Sequence, residues 1–243
     1  MLFGARTDIG LVRKTNEDGF HIGGNLFAVA DGMGGHQAGE VASRLALEVL
    51  ADYPIEGADP QSSLRKAFQK ANEVIYAKAQ QDEALIGMGT TLTALFIAEG
   101  RLWVAHVGDS RAYLCRRQDL IQLTQDHSVV GELVRNGDLS AQEARFHPHR
   151  NLLTRALGTA AAVEVDVFAT EWQHDDKVLL CTDGLSGPLE DDEIRQIIQE
   201  HDDPQRAVDE LIKQARKRGA PDNVTAVLIK LAVQDQAARG RQA

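Results

Sequence analysis

The chemistry of this chain is concentrated in its aspartates and in the residues beside them. Asp31 follows the apolar run Leu26-Phe27-Ala28-Val29-Ala30 and precedes Gly32-Met33-Gly34-Gly35. Asp109 follows Leu102-Trp103-Val104-Ala105-His106-Val107-Gly108, and Asp183 follows Val178-Leu179-Leu180-Cys181-Thr182 and precedes Gly184. Asp222 and Asn223 stand before Val224-Thr225-Ala226-Val227-Leu228-Ile229. A single Asp-Gly pair is an ordinary turn. Four carboxylates, each at the end of a run apolar enough to be buried, mean more if those ends converge. Like charges in one small volume raise each other's pKa and cannot all ionise unaided. Cations remove the conflict, and oxygen donors without paired His or Cys favour Mg²⁺ or Mn²⁺ over zinc or copper. Gly32 would let backbone approach such an ion closely, although Asp31–Gly35 also reads as a phosphate-cradling loop or a plain turn. Neither a GxxxxGK[ST] loop nor a GxGxxG fingerprint is present.

Positioning these carboxylates requires strands, and the pattern supplies them. Short β-rich runs are expected at Gly19–Ile22, Leu26–Ala30, Thr90–Ala98, Leu102–Val107, Ala112–Arg116, Leu120–Thr124, Val163–Ala169, Lys177–Thr182 and Asn223–Leu231. The connections Glu99–Arg101, Gly108–Arg111 and Arg117–Asp119 are too short for parallel crossovers, so antiparallel neighbours are expected across them. From Gln37 to about Tyr53 the apolar positions Ala38, Val41, Ala42, Leu45, Ala46, Val49 and Leu50 form one helical stripe, which Pro54 stops. Leu64, Ala67, Phe68, Ala71 and Ile75 mark a second helix. Asp203-Pro204 opens a third, with Val208, Leu211, Ile212 and Ala215 inward and Gly219 at its end. Antiparallel sheets covered by blocks of helix give an α+β class. Ser128–His149 reads as a surface insertion, residues 1–233 as one domain, and Gln234–Ala243 as a frayed polar tail.

Composition narrows the function. The chain has 243 residues, with 26 basic and 36 acidic side chains and a formal charge of −10. Such a surface repels nucleic acid and anionic lipid at long range. The N-terminus lacks a basic segment followed by an apolar core, and no apolar run approaches the ~18 residues of a membrane span. A soluble cytoplasmic protein is expected. Cys115 and Cys181 lie apart, outside any CxxC, and read as buried thiols.

Seven segments occur in order: Arg13-Lys-Thr-Asn-Glu17-Asp18, Asp31-Gly-Met-Gly-Gly-His36, Met88-Gly-Thr-Thr91, Gly108-Asp-Ser-Arg111, Thr124-Gln-Asp-His127, Thr182-Asp-Gly-Leu185 and Asp222-Asn-Val-Thr225. Together they resemble the bacterial type-2C protein phosphatases, the metal-dependent PPM family, over about residues 4–231. The resemblance implies a central antiparallel β-sandwich flanked by helices on both faces, in four layers α-β-β-α. It implies that Asp31 bridges two Mn²⁺ or Mg²⁺ ions, with the Gly32 carbonyl on the second and Asp183 and Asp222 on the first. It further implies that Asp109, with Asp183, holds a third ion, that Glu17 and Asp18 hold metal-bound waters, and that Arg13 grips the substrate phosphate. In this scheme a hydroxide bridging two cations attacks phosphorus in line with the leaving serine or threonine oxygen.

A guanidinium suits a phosphate dianion bidentately, which favours that role for Arg13 over a plain surface arginine. His36 is the candidate for protonating the leaving oxygen, beside a metal-bound water; human-type members carry a histidine where this chain has Met33. His106 reads as a core histidine, His147 and His149 as surface residues without chemistry, and Asp126-His127 as support for the site. The insertion corresponds to the family's flap, placed to select substrates. Phosphoprotein substrates, an opposing Ser/Thr kinase and a monomer are the implied partners and state. Two other classes compete: a catalytically silent phosphoprotein-binding module of the same fold, and a metal-dependent hydrolase acting on nucleotides. The complete acidic set weighs against the first. The lack of a phosphate loop or base-stacking aromatic cluster weighs against the second.

Overall fold

The computed structural model describes residues 1–34 and 38–232. His36 and the tail from Gln234 lie outside the described residues. In chain order the elements begin with β1 (Leu2–Asp8), β2 (Asp18–Gly23), β3 (Leu26–Met33), α1 (Ala38–Asp52) and α2 (Pro60–Gln81). There follow β4 (Gly89–Thr90), β5 (Leu92–Ala98), β6 (Arg101–Val107), β7 (Arg111–Arg116) and β8 (Asp119–Gln122). The insertion holds α3 (Val129–Asn136) and α4 (Ala141–Phe146), and the chain continues through β9 (Asp166–Glu171) and β10 (Lys177–Cys181). It finishes with the single turn α5 (Asp183–Ser186), then α6 (Asp191–Glu200), α7 (Pro204–Lys217) and β11 (Val224–Lys230).

Two antiparallel sheets result, one ordered β1-β11-β10-β7-β8, the other β2-β3-β5-β6-β9 with β4 attached to β3. Strand periodicity explains their stacking. In β3, Phe27 and Val29 point into the core between the sheets, while Leu26, Ala28 and Ala30 face α1 and α2. In β10, Val178 and Leu180 meet that same inter-sheet core, while Leu179 and Cys181 face α6 and α7. Three apolar layers therefore separate four structural ones, in the order α-β-β-α expected from the resemblance. Cys115 and Cys181 are buried free thiols, and His106 is a core histidine, bonded to Thr93 and to the Gln125 carbonyl.

The structure departs from the sequence reading at several places. β1 and α6 carry no expectation there. The Gly108–Arg111 connection does not join antiparallel neighbours: β6 belongs to one sheet and β7 to the other, so the chain crosses the sandwich at Asp109. Gly108 permits that corner, because its φ is +112° and a Cβ there would lie 2.5 Å from the Thr91 side chain. Asp31 does not end its strand; β3 runs on to Met33, with Gly32 opposite Thr90.

Candidate active site

Five of the six acidic residues in question reach one mouth from separate chain segments. Asp31 comes from β3, Asp109 from the sheet-crossing corner, Asp183 from the first residue of α5, Asp222 from the turn before β11, and Glu17 from the loop before β2. These five line one cleft of about 160 Å³ together with Arg13, Gly32, Met33, Gly34, Thr91, Asn151 and Leu153. Asp18 stands opposite Asp31 in the β2–β3 register, immediately behind them. A larger shallow groove of about 760 Å³ runs along α7 beside Arg6 and Leu11. Its Arg6, Lys213 and Arg216 are already paired with Asp209, Glu210 and Asp8.

Hydroxyls and amides set the carboxylates in place. The Asp31 N–H donates to Thr91 Oγ1 at 2.9 Å, and the Asp31 carbonyl accepts from the Thr90 hydroxyl and the Thr91 N–H, both at 2.9 Å. Thr91 Oγ1 in turn lies 2.7 Å from Ser110 Oγ, next to Asp109. The hydroxyls of Thr182 and Thr225 donate to Asp18 Oδ2 at 2.8 and 2.7 Å, tying the end of one sheet to the start of the other. Asn223 accepts the Glu17 N–H at 2.9 Å and donates to the Ile9 and Thr15 carbonyls, which pins the loop carrying Arg13. The insertion is anchored beside Asp183: Arg145 donates to the carbonyls of Ser186, Gly187 and Leu189. Thr91, Ser110, Thr182, Thr225 and Asn223 all lie within the seven quoted motifs, yet the sequence assigned them no role. A hydroxyl beside a conspicuous aspartate was the available signal.

The electrostatics are those of a crowded anionic site. Burial, then the charges of Asp18, Asp183, Asp109 and Asp222, holds the Asp31 carboxyl well above the usual carboxylate range. Asp109 is raised by burial and by Asp183, and Asp183 by burial and by Asp222. Asp18 is pushed up to about 7, mainly by burial and against the stabilising bonds from Thr225 and Thr182. Asp18 Oδ1 and Asp183 Oδ1 are buried acceptors with no donor among the described residues. Arg13 meets Asp222 at 2.7 Å and is raised chiefly by that hydrogen bond. Arg111, behind Asp109, is engaged by Asp126 through a bidentate pair. Buried carboxylate oxygens that lack donors match hard divalent cations. As the side chains stand, no three His, Cys, Asp or Glu residues among the described ones are gathered closely enough to ligate one ion. Asp222, turned toward Arg13, is one reason.

This arrangement has relatives. A family model for protein phosphatase 2C matches residues 8–135. The serine/threonine phosphatase stp of Listeria monocytogenes is 40% identical over 249 residues, spanning 98% of each chain. The chain belongs to the protein phosphatase 2C family. A second member, the serine/threonine protein phosphatase PstP of Mycobacterium tuberculosis, is 44% identical over 93% of this chain and 44% of its own length. The crystal structure of a PstP catalytic domain in complex with two manganese ions superposes with a TM-score of 0.88 at 41% identity, covering 95% of this chain and 98% of that one. As a protein phosphatase 2C, the chain is a phosphatase by family, and its two-sheet architecture is the family's. Among the described residues no helix is long and apolar enough to cross a membrane.

Proposed function

We propose that this protein phosphatase 2C member hydrolyses phosphoserine and phosphothreonine in proteins with Mn²⁺ or Mg²⁺, opposing a Ser/Thr kinase as a cytoplasmic monomer. The observation that carries the reading is the convergence of Asp31, Asp109, Asp183 and Asp222 on one cleft that also holds Arg13. Asp31, the Gly32 carbonyl, Asp183 and Asp222 would hold two cations, Asp109 with Asp183 a third, and Glu17 and Asp18 the waters around them. When bound, such cations supply Lewis acidity that makes water nucleophilic at neutral pH and offsets charge on the phosphoryl oxygens. Arg13 would receive the phosphate. Its guanidinium already sits at the mouth on an anionic partner, and it is free to turn to the substrate once Asp222 serves a cation. Binding of the phosphate there orients phosphorus for in-line attack, the main task in phosphoryl transfer. Proton delivery to the leaving oxygen falls to His36, at the end of the glycine run, or to water. The flap, fixed by Arg145 next to Asp183, is placed to meet the protein around the phosphoresidue.

The test compares p-nitrophenyl phosphate and a phosphothreonine peptide with Mn²⁺ and then with EDTA. Turnover of both that vanishes on chelation is expected. Mn²⁺ and phosphopeptide binding without turnover would establish a silent binding module instead.

A further inference from the structure

We infer that His127 is a positioning residue for the Asp109 corner, holding Gly108 so that the Asp109 carboxylate faces the cleft. The inference deepens the phosphatase reading and rests on it for its kinetic arm. Gly108 and His127 exchange two hydrogen bonds: the His127 N–H donates to the Gly108 carbonyl at 2.7 Å, and the Gly108 N–H donates to His127 Nδ1 at 3.1 Å. A ring nitrogen that accepts carries no proton, so in the neutral ring the proton resides on Nε2. Nε2 lies 3.2 Å from Asp166 Oδ2, and Asp166 Oδ1 accepts from Arg155 at 2.9 Å. Arg155 and Asp166 therefore fix which tautomer His127 adopts, and the tautomer fixes whether Gly108 has an acceptor. The ring is 2% exposed and lies 4.6 Å from the ring of His106, which blocks its rotation.

The corner has need of such a hold. Gly108 has no side chain to pack and adopts φ +112°, and the residue after it is one of the cleft carboxylates. The main chain of the same histidine reaches a second segment of the cleft lining. Its carbonyl accepts the Thr154 N–H at 2.8 Å, and Ser128 bridges to Leu153, which lines the cleft. The ring of His127 thus holds the Asp109 corner while its main chain joins the segment that carries Leu153 into the cleft lining.

The experiment uses the whole chain and three variants. His127→Ala removes both ring contacts, and His127→Asn keeps an acceptor near the Nδ1 position. Asp166→Asn leaves the ring but disturbs its tautomer partner. With His127→Ala, the Mn²⁺ concentration for half-maximal turnover of p-nitrophenyl phosphate should rise on the order of 10-fold. The Mn²⁺ dissociation constant from calorimetry should rise alongside it, and KM at saturating Mn²⁺ should stay within about 2-fold. His127→Asn should recover most of the loss, and Asp166→Asn should show a smaller loss of the same kind. Nitrogen NMR of the parent should find Nδ1 unprotonated and Nε2 protonated, a readout independent of catalysis. Unchanged Mn²⁺ dependence in His127→Ala would overturn the proposal. If that variant fails to fold, unchanged Mn²⁺ dependence in Asp166→Asn would do so. A proton found on Nδ1 in the parent would do so as well. A parent without Mn²⁺-dependent turnover would strike at the phosphatase reading alone, leaving the NMR arm to judge His127.

Discussion

Arg13 and Asp222 face each other at 2.7 Å, both partly exposed, and the pair shows how single residues divide the work. An exposed ion pair of this kind contributes little to stability. Its interest lies in exchange: in the proposed reading a divalent cation would compete with the guanidinium for Asp222, and a phosphate would compete with Asp222 for the guanidinium. Asp183 forms no ion pair among the described residues, and its Oδ1 is a buried acceptor without a donor among them. Substitutions at the two places should therefore fail differently. Arg13→Lys keeps the charge but loses the planar fork. It is expected to raise KM for a phosphopeptide about 10-fold with a much smaller change in the Mn²⁺ dependence, since an ammonium can still face Asp222. Asp183→Asn removes a charged donor and is expected to lower kcat on the order of 100-fold or more, with weaker Mn²⁺ binding by calorimetry. If Arg13→Lys instead altered the Mn²⁺ requirement and spared KM, the assignment of Arg13 to phosphate would be wrong.

At the scale of elements, the close approach of β3 to α1 governs where Asp31 sits. A Cβ on Gly32 would lie 2.0 Å from the Gly39 carbonyl and 2.7 Å from that of Glu17, both rigid backbone. Gly32→Ala must therefore push the start of α1 off the strand. It should destabilise the protein by about 1–3 kcal/mol in a denaturant titration, and it should lower activity by displacing Asp31 even where folding is complete. The sequence marked Gly32 as a place where backbone could approach an ion; its close packing against a second glycine, in a helix, was not legible. The same boundary runs through the fold. β10 and β11 read clearly because both their faces are buried, giving continuous apolar runs. β1 did not, because it is an edge strand whose Leu2 and Phe3 are more than half exposed and which, among the described residues, pairs only with β11 near the other end of the chain. α6 escaped because its buried stripe is only Ile194, Ile197 and Ile198 among charged residues. The corner at Asp109 escaped because loop length speaks to neighbours within a sheet and says nothing about a hop between sheets. The aspartates themselves were legible because a carboxylate beside a buried run is costly and so stands out. The Thr, Ser and Asn side chains that hold them are ordinary in sequence, and only the fold brings Thr182 and Thr225 to Asp18.

For the whole molecule, the anionic cluster is a standing cost to stability that depends on pH and on cations. A carboxylate whose folded pKa lies above its unfolded value of about 3.9 favours folding below that value and loses the contribution as pH rises through the folded pKa. For Asp18, at about 7, the loss runs from about pH 4 to 7 and amounts to a few kcal/mol. Asp31, Asp109 and Asp183 act in the same direction. His106 opposes them: burial lowers it to about 4, so its neutral form gains stability as pH rises from about 4 to 6.5. A melting curve in chelator alone mixes the two. The difference between Mn²⁺-loaded and EDTA-treated protein separates them, because His106 contributes equally to both while, in the proposed reading, the cations would act on the carboxylates. That difference should be small near pH 4 and grow through pH 7. In EDTA above pH 7, Asp18→Asn should match or exceed the parent in stability, because one buried charge is gone, while its gain from Mn²⁺ should shrink. A Mn²⁺ gain independent of pH across this window would mean that the carboxylates are not what the cation neutralises.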